Sequence, residues 1–158
     1  MSGLAAALVN PAASAPKAFR MTPELQPIDV AAGLVFRGGK LLIAQRPEGS
    51  HLAGLWEFPG GKREEGELWP DCLIRELQEE LGVVVKVGEV FEEVVHRYPE
   101  KVVRLRFFLA TLDAGEPRPL GCANVNWVTR SELSKYAFPP ADAELIQRLM
   151  ATDGLWTE

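Results

Sequence analysis

The chain of 158 residues is poor in the residue types that mark several classes of protein. It has two cysteines, Cys72 and Cys122, too few and too far apart for a disulfide framework or a cysteine-rich zinc site. Its two histidines, His51 and His96, have no Cys or His partner at ligand spacing, so metal binding is not their expected role; solvated or structural positions are. No apolar run approaches the roughly 20 residues that a membrane span needs. The short apolar run at residues 4–9 has no Lys or Arg before it, which speaks against a secretory signal. A basic excess is missing too: 22 acids against 17 bases leave a net charge of −5, the wrong sign for a nucleic-acid-binding surface. The expected location is the cytoplasm, without membrane or nucleic-acid-polymer partners. What is present, 47% apolar and 25% charged residues, is ordinary globular material at the usual size of one domain.

Residues 1–27 stand apart. They are rich in Ala, Pro and Ser, lack hydrophobic periodicity, and carry Pro11, Pro16, Pro23 and Pro27, which break any long helix. A flexible N-terminal extension is expected here, with Met21 as an alternative start, followed by a single domain over residues 28–158. In that domain, residues 29–36 and 40–45 read as a hairpin around Arg37-Gly38-Gly39. Residues 47–62 read as a Gly- and Pro-punctuated loop. Residues 70–81 read as a helix, with Pro70 at its first position, Gly82 just past its end, and Leu73, Leu77 and Leu81 as an apolar stripe. Residues 83–95, 102–112 and 125–128 are strand-like, residues 131–136 a short helix and residues 142–150 a longer one. Strands mixed with three helices predict an α+β or α/β domain with helices packed on a sheet.

The acidic excess is concentrated. Residues 57–80 hold eight acids (Glu57, Glu64, Glu65, Glu67, Asp71, Glu76, Glu79 and Glu80) against Lys62, Arg63 and Arg75, which accounts for the whole net charge. A solvated helix face is the ordinary meaning of such a run; a cluster of hard oxygen ligands for Mg²⁺ or Mn²⁺ is the sharper one. Glu76 and Glu80 are four apart on one helical face, and Glu79 is three from Glu76. Like charges so placed repel, and a divalent cation removes that penalty. Arg75 can pair with Glu79 at i,i+4. Upstream, Phe58-Pro59-Gly60-Gly61-Lys62 holds paired glycines, whose permitted backbone angles let a carbonyl or amide point at a metal or phosphate. Together these suggest a site for metal-bound polyphosphate, the metal bridging an acidic protein and an anionic substrate.

Gly61, then five residues, Glu67, then seven, then Arg75-Glu76-Leu77-Gln78-Glu79-Glu80-Leu81-Gly82-Val83 matches the Nudix box, G-x5-E-x7-R-E-U-x-E-E-x-G-U, at every defined position. Residues 41–62 and the stretch Phe138-Pro139-Pro140-Ala141-Asp142 resemble the MutT branch of that family, and the resemblance spans residues 28–150. It implies the Nudix fold, a mixed β-sheet between helices (α/β/α). It also implies a Mg²⁺-dependent (or Mn²⁺-dependent) nucleoside triphosphate pyrophosphohydrolase of 8-oxo-dGTP diphosphatase type, releasing a monophosphate and pyrophosphate and clearing damaged nucleotides. By position, Glu76, Glu79 and Glu80 would be metal carboxylates with the Gly60 carbonyl beside them, Glu76 the general base, and Arg75 the orienting group of the catalytic set. Glu67 would support the loop or reach the metal through water. Arg46 and Lys62 would contact phosphates, Gly61 would bind the substrate, and Glu57 and Phe58 would wall the nucleoside. His51 and Asp142 would contact the nucleotide.

Three departures stand out. Trp69 occupies the position where relatives place a helix-capping Ser, Thr or Asp. Gly121 stands where many relatives have a loop glutamate, with Glu116 the nearest substitute. Asp142 replaces an asparagine; an ionised aspartate only accepts hydrogen bonds, from guanine's N–H edge or from the exocyclic amine of cytosine or adenine. The base therefore stays open between 8-oxoguanine and a cytosine-type base. A dinucleoside polyphosphate substrate and a non-catalytic base-binding module are the remaining alternatives. Asp142 also reads as a helix N-cap, Cys72 as core, and Trp56 and Trp127 as core or cavity wall.

Overall fold

The computed structural model describes residues 26–157. The extension expected over residues 1–27 lies almost wholly outside them, and Pro27 already begins a strand. That strand, β1 (Pro27–Arg37), is buried without a break from Ala31 to Val35. Unbroken burial in a strand means both faces are covered. Ala31 and Val35 join one core with Cys72, Leu73 and Leu77, whereas Ala32 and Leu34 join a second with Leu145 and Leu149. A helix therefore lies on each side of the sheet, the α/β/α arrangement.

Seven strands pair among the described residues. β1 forms a hairpin with β2 (Lys40–Gln45) and runs parallel to β6 (Val102–Ala114), which pairs antiparallel with β5 (Val84–Arg97). β7 (Asn124–Val128) lies along β2. Two strands fall inside the stretch expected to be a loop: β3 (Trp56–Glu57) on β2, and β4 (Gly60–Lys62) on residues 30–32 of β1. They are two and three residues long, too short for a period-2 pattern to show.

Helix α1 (Trp69–Leu81) presents buried Cys72, Leu73, Leu77 and Leu81 to the sheet and ends on Gly82 at φ 72°, ψ 28°, the left-handed cap expected there. Its N-cap is Leu68 rather than Trp69, and no side chain caps it; Trp69 is already helical, with Pro70 in the same first turn. Helix α2 (Ala143–Met150) buries Leu145 and Leu149. The expected Asp142 side-chain cap is absent. Asp142 closes a 3₁₀ turn (Pro140–Asp142) at φ −91°, ψ 1°, away from the extended conformation from which a capping side chain reaches back. The helix expected at 131–136 is one 3₁₀ turn, Leu133–Lys135. Cys72 is fully buried, as expected. No described helix is long and apolar enough to cross a membrane.

Candidate active site

A cavity of about 530 Å³ is lined by the neighbouring strands β4, β1, β6 and β5, by Glu76 and Glu80 of α1 and by the Pro140–Asp142 turn. It brings together Gly60, Gly61, Lys62, Glu76, Glu80, Arg46, Phe58 and Asp142 from the sequence-predicted set, with Glu57.

Two neighbouring glycines position the acidic edge, each for a different reason. Neither has a left-handed φ, so the freedom expected of them is not what the fold uses. A Cβ on Gly60 would stand 1.9 Å from the Ala31 carbonyl oxygen, because β4 runs hard against β1. A Cβ on Gly61 would stand 2.1 Å from Oε1 of Glu76, because that carboxylate packs on the bare backbone.

Arg75 organises the α1 carboxylates. Its guanidinium donates to both oxygens of Glu67 at 2.8 and 3.0 Å, to Glu76 at 2.8 Å and to the Lys62 carbonyl at 3.0 Å. It reaches Glu79 at 3.4 Å, the i,i+4 pair anticipated, but most of its bonding goes to Glu67 and Glu76. Glu79 is 59% exposed and does not line the cavity. Glu67 also accepts from the Glu64 amide at 3.0 Å. The Arg75 hydrogen bonds, helped by that amide, hold its carboxyl down to about 2. A depressed acid stabilises the fold above its unfolded value of 4.5 and loses that contribution as pH falls toward 2. Glu67→Gln is therefore expected to flatten the acid limb of a melting-temperature-against-pH profile between those values. Arg75→Ala is expected to cost about 10- to 100-fold in activity, the usual loss when a group that orients ligands is removed, with a lower melting temperature. A variant as active as wild type would show that the carboxylates are placed without it.

Glu80 differs from its neighbours: no hydrogen bond or ion pair from a described side chain engages its carboxylate. Burial, then the charges of Glu76 and Glu57, push it up to about 8. Glu76 is also raised, chiefly by burial and despite Arg75. Two part-buried carboxylates one turn apart, one without a cationic partner, with the Gly60 backbone on the same wall, fit a divalent cation. Among the described residues no three His, Cys, Asp or Glu side chains enclose such a site by themselves.

The loop before β7 holds Glu80 by its backbone. The amides of Leu120 and Gly121 both donate to the Glu80 carbonyl at 3.0 Å. A Cβ on Gly121 would meet Glu80 Cγ at 3.2 Å. Glu116 does not replace the missing loop glutamate; it pairs with Arg37 on the surface at 3.0 Å.

Arg46 is bound rather than free. It donates to Glu57 at 2.7 Å and to the His51 carbonyl at 2.5 Å. Burial raises Glu57 and the Arg46 contact lowers it. His51 itself is exposed and does not line the cavity. Its neighbour Leu52 does, in a left-handed conformation at φ 59° that a branched residue rarely adopts. Phe58 is 4% exposed, stacked on Phe138 at 5.1 Å and edge-on to Phe107 at 6.1 Å. Trp56 packs edge-on against Tyr136. Asp142 is pushed up to about 6, mainly by burial, with Glu57 raising it and His96 opposing.

His96, Tyr98, Val103, Leu105 and Phe107 complete the wall and were not foreseen as site residues. The alternation of Val103, Leu105 and Phe107 shows that one face of β6 is apolar, but not which element it faces. For His96 no sequence signal existed.

Comparison with known proteins agrees with this geometry. Residues 31–148 match the NUDIX domain family. The chain is 40% identical over 124 residues to an 8-oxo-dGTP diphosphatase of Haemophilus influenzae, covering 78% of this chain and 91% of that one. It is 39% identical over 129 residues to a CTP pyrophosphohydrolase of Escherichia coli, covering 78% and 92%. The solution structure of the E. coli ORF135 protein superposes with a TM-score of 0.71 at 34% identity, covering 82% of this chain and 92% of that one. A glycine-shaped seat for Glu76, the arginine-held carboxylates of α1 and a mixed sheet between two helices are thus the features of a chain that belongs to the Nudix hydrolase family.

Proposed function

We propose that the protein is a Mg²⁺-dependent nucleoside triphosphate pyrophosphohydrolase of the 8-oxo-dGTP diphosphatase type, acting in the cytoplasm to clear damaged nucleotides. The observation that carries this reading is one cavity lined both by the charged Glu76, Glu80 and Lys62 and by the apolar Phe58 with Asp142. That is the shape and polarity of a polyphosphate joined to a heteroaromatic base. The names of the two curated relatives support it.

Glu76, Glu80 and the Gly60 carbonyl would hold the cation, with Glu79 reaching it from the rim. Held there, the cation would supply polarisation of the phosphate chain and a lowered pKa for the attacking water. The chain's own groups do the rest. Arg75 keeps Glu76 oriented. Glu76, raised by burial, would accept the proton of the water. Lys62 neutralises phosphate charge from the cavity rim, and Arg46 offsets Glu57, so that a polyanion is not repelled. Phe58 presents an apolar wall to the base.

The test is a set of initial rates with Mg²⁺ on 8-oxo-dGTP, dGTP, CTP, 5-methyl-dCTP and dATP, with products identified by mass. The expected result is hydrolysis to monophosphate and pyrophosphate, with 8-oxo-dGTP leading, and loss of activity on chelation that Mg²⁺ restores. Chelator-resistant turnover would refute the metal site. A leading cytosine nucleotide would favour the second reading, a pyrimidine nucleotide pyrophosphohydrolase. That reading has its own observation in Asp142, whose ionised carboxylate can accept from an exocyclic amine.

A further inference from the structure

Asp29 is the one charged side chain buried among the described residues, at 8% exposure, and it does not line the cavity. Such a carboxylate is tolerated only when it is paired and hydrogen-bonded. Two guanidinium groups do this. Arg104, its partner in the β1–β6 register, donates from Nε at 2.9 Å and from Nη2 at 3.1 Å. Arg63 donates from Nε at 3.0 Å and from Nη2 at 2.6 Å. The Arg63 amide also donates to the Asp29 carbonyl at 2.8 Å, one step beyond the Val30–Lys62 pair of β1 and β4. The third Arg63 nitrogen, Nη1, bonds elsewhere: it donates to the Glu67 carbonyl at 2.7 Å. The Glu67 carboxylate accepts from Arg75, and Arg75 holds Glu76. An unbroken run of contacts of 2.8 Å or less therefore leads from the central strand through Asp29, Arg63, Glu67 and Arg75 to Glu76. The same arginines stack on α1. Cζ of Arg63, Arg104 and Arg106 lies 5.2, 5.7 and 4.3 Å from the centre of the Trp69 ring. Helix α1 has no side-chain N-cap, so these cations and the core contacts of Trp69 tie its first turn to the sheet.

We propose that Asp29 is a positioning residue for the reaction: by fixing Arg63 it fixes the turn that carries Glu67, and with it the direction from which Arg75 holds Glu76. The proposal deepens the metal-dependent reading above and rests on its metal site. The turn needs such a tether. Residues 64–66 are exposed, Gly66 stands at φ 79°, and the backbone closes through the Glu67 amide on the Glu64 carbonyl at 3.0 Å. Asp29, by contrast, sits on a strand paired on both sides. A planar guanidinium bonds the anchor and the turn together in one fixed geometry, which a lysine cannot do. Arg104 provides the internal control. It holds the same carboxylate, and no hydrogen bond from it reaches residues 64–67.

The test uses Arg63→Met, Arg63→Lys, Arg104→Met and Asp29→Asn, with Arg63→Met also made in the Arg75→Ala background. Methionine keeps an apolar stem over Trp69 and removes every donor. Three quantities are read: melting temperature, Mn²⁺ affinity of the nucleotide-free protein by calorimetry, and kcat and KM on the leading triphosphate. Arg63→Met and Arg104→Met should lower the melting temperature alike, because each strips one guanidinium from Asp29. Only Arg63→Met should weaken Mn²⁺ binding, by roughly 10-fold, the low end for a group that orients a ligand through another. Its kcat at saturating Mg²⁺ should fall by a similar factor with KM nearly unchanged. Asp29→Asn should follow Arg63→Met in both. Arg63→Lys, which keeps the charge without the fork, should recover melting temperature and little of kcat. With Arg75 already replaced, Arg63→Met should cost little more, since the link it acts through is gone. Equal effects of Arg63→Met and Arg104→Met on Mn²⁺ affinity and kcat, no effect of either, or full additivity with Arg75→Ala would make the cluster a clamp on the fold alone and overturn the proposal. Wild type that binds no Mn²⁺ would overturn the metal site, and the proposal with it. Wild type that hydrolyses no triphosphate, while Mn²⁺ affinity still follows Arg63 and not Arg104, would overturn the nucleotide reading and support the positioning role.

Discussion

Glu80→Gln is expected to lower turnover by roughly a thousandfold, the upper range for removing one charge-stabilising group from a reacting centre, while making the metal-free protein more stable. Both effects come from one fact. Glu80 is a part-buried carboxylate beside Glu76 and Glu57, with no partner of its own among the described side chains, and its carboxyl is pushed up to about 8. In the unfolded chain it ionises near 4.5. As pH rises from about 4.5 to about 8 the unfolded state loses this proton first, so Glu80 costs the metal-free fold stability over that window. A neutral amide removes the cost and also removes a hard anionic ligand. Melting curves at pH 5 and pH 8 with chelator should show the variant gaining more at pH 8. With Mg²⁺ added, wild type should gain melting temperature by mass action and the variant little. Wild-type turnover from Glu80→Gln would sink the metal-site reading. Turnover lost without any gain in metal-free stability would mean that Glu80 is better solvated than its surroundings indicate.

The two glycines that open β4, Gly60 and Gly61, are expected to fail in opposite ways. Gly60→Ala puts a methyl group 1.9 Å from the Ala31 oxygen and 2.7 Å from the Ala32 Cα, and both are backbone of the central strand. Neither can step aside without breaking the pairing of residues 30–32 with β4. The cost is about 3 kcal/mol or more, at the high end for overpacking, or roughly 6 to 12 °C of melting temperature in a chain this size. Gly61→Ala instead meets the Glu76 carboxylate, the far end of a flexible side chain. That group can swing away, so the fold should lose little. Its displacement from the cavity should cost activity about a hundredfold, as small misplacements of reacting groups do. Calorimetric melting and initial rates on the same two variants separate the cases. A stable Gly60→Ala, or a fully active Gly61→Ala, would show that the strand or the carboxylate has more room than the backbone indicates.

Much of this was legible in the sequence because it is written in local periodicities. The Leu73, Leu77 and Leu81 stripe and Gly82 place α1 to within one residue. The alternating and β-branched runs locate β1, β2, β5 and β6. The spacing from Gly61 to Val83 by itself identifies the carboxylate helix. What local pattern could not show depended on contacts distant in sequence. β3 and β4 exist because β2 and β1 offer them edges. Arg46 is engaged by Glu57 and the His51 carbonyl, and Glu116 by Arg37, pairings that spacing does not announce. Asp142 is freed from capping by the 3₁₀ turn before α2.

The sequence by itself determined the class of chemistry, because the relevant carboxylates sit on one helix and helical geometry converts their spacing directly into a shared face. Only the tertiary structure decided which of them are buried, which is held by Arg75 and which is left without a partner. It also decided that His96, from a strand forty-six residues before Asp142, lines the same cavity. Burial and the charges of distant neighbours set the chemistry of each group, and neither exists until the sheet has brought the segments together.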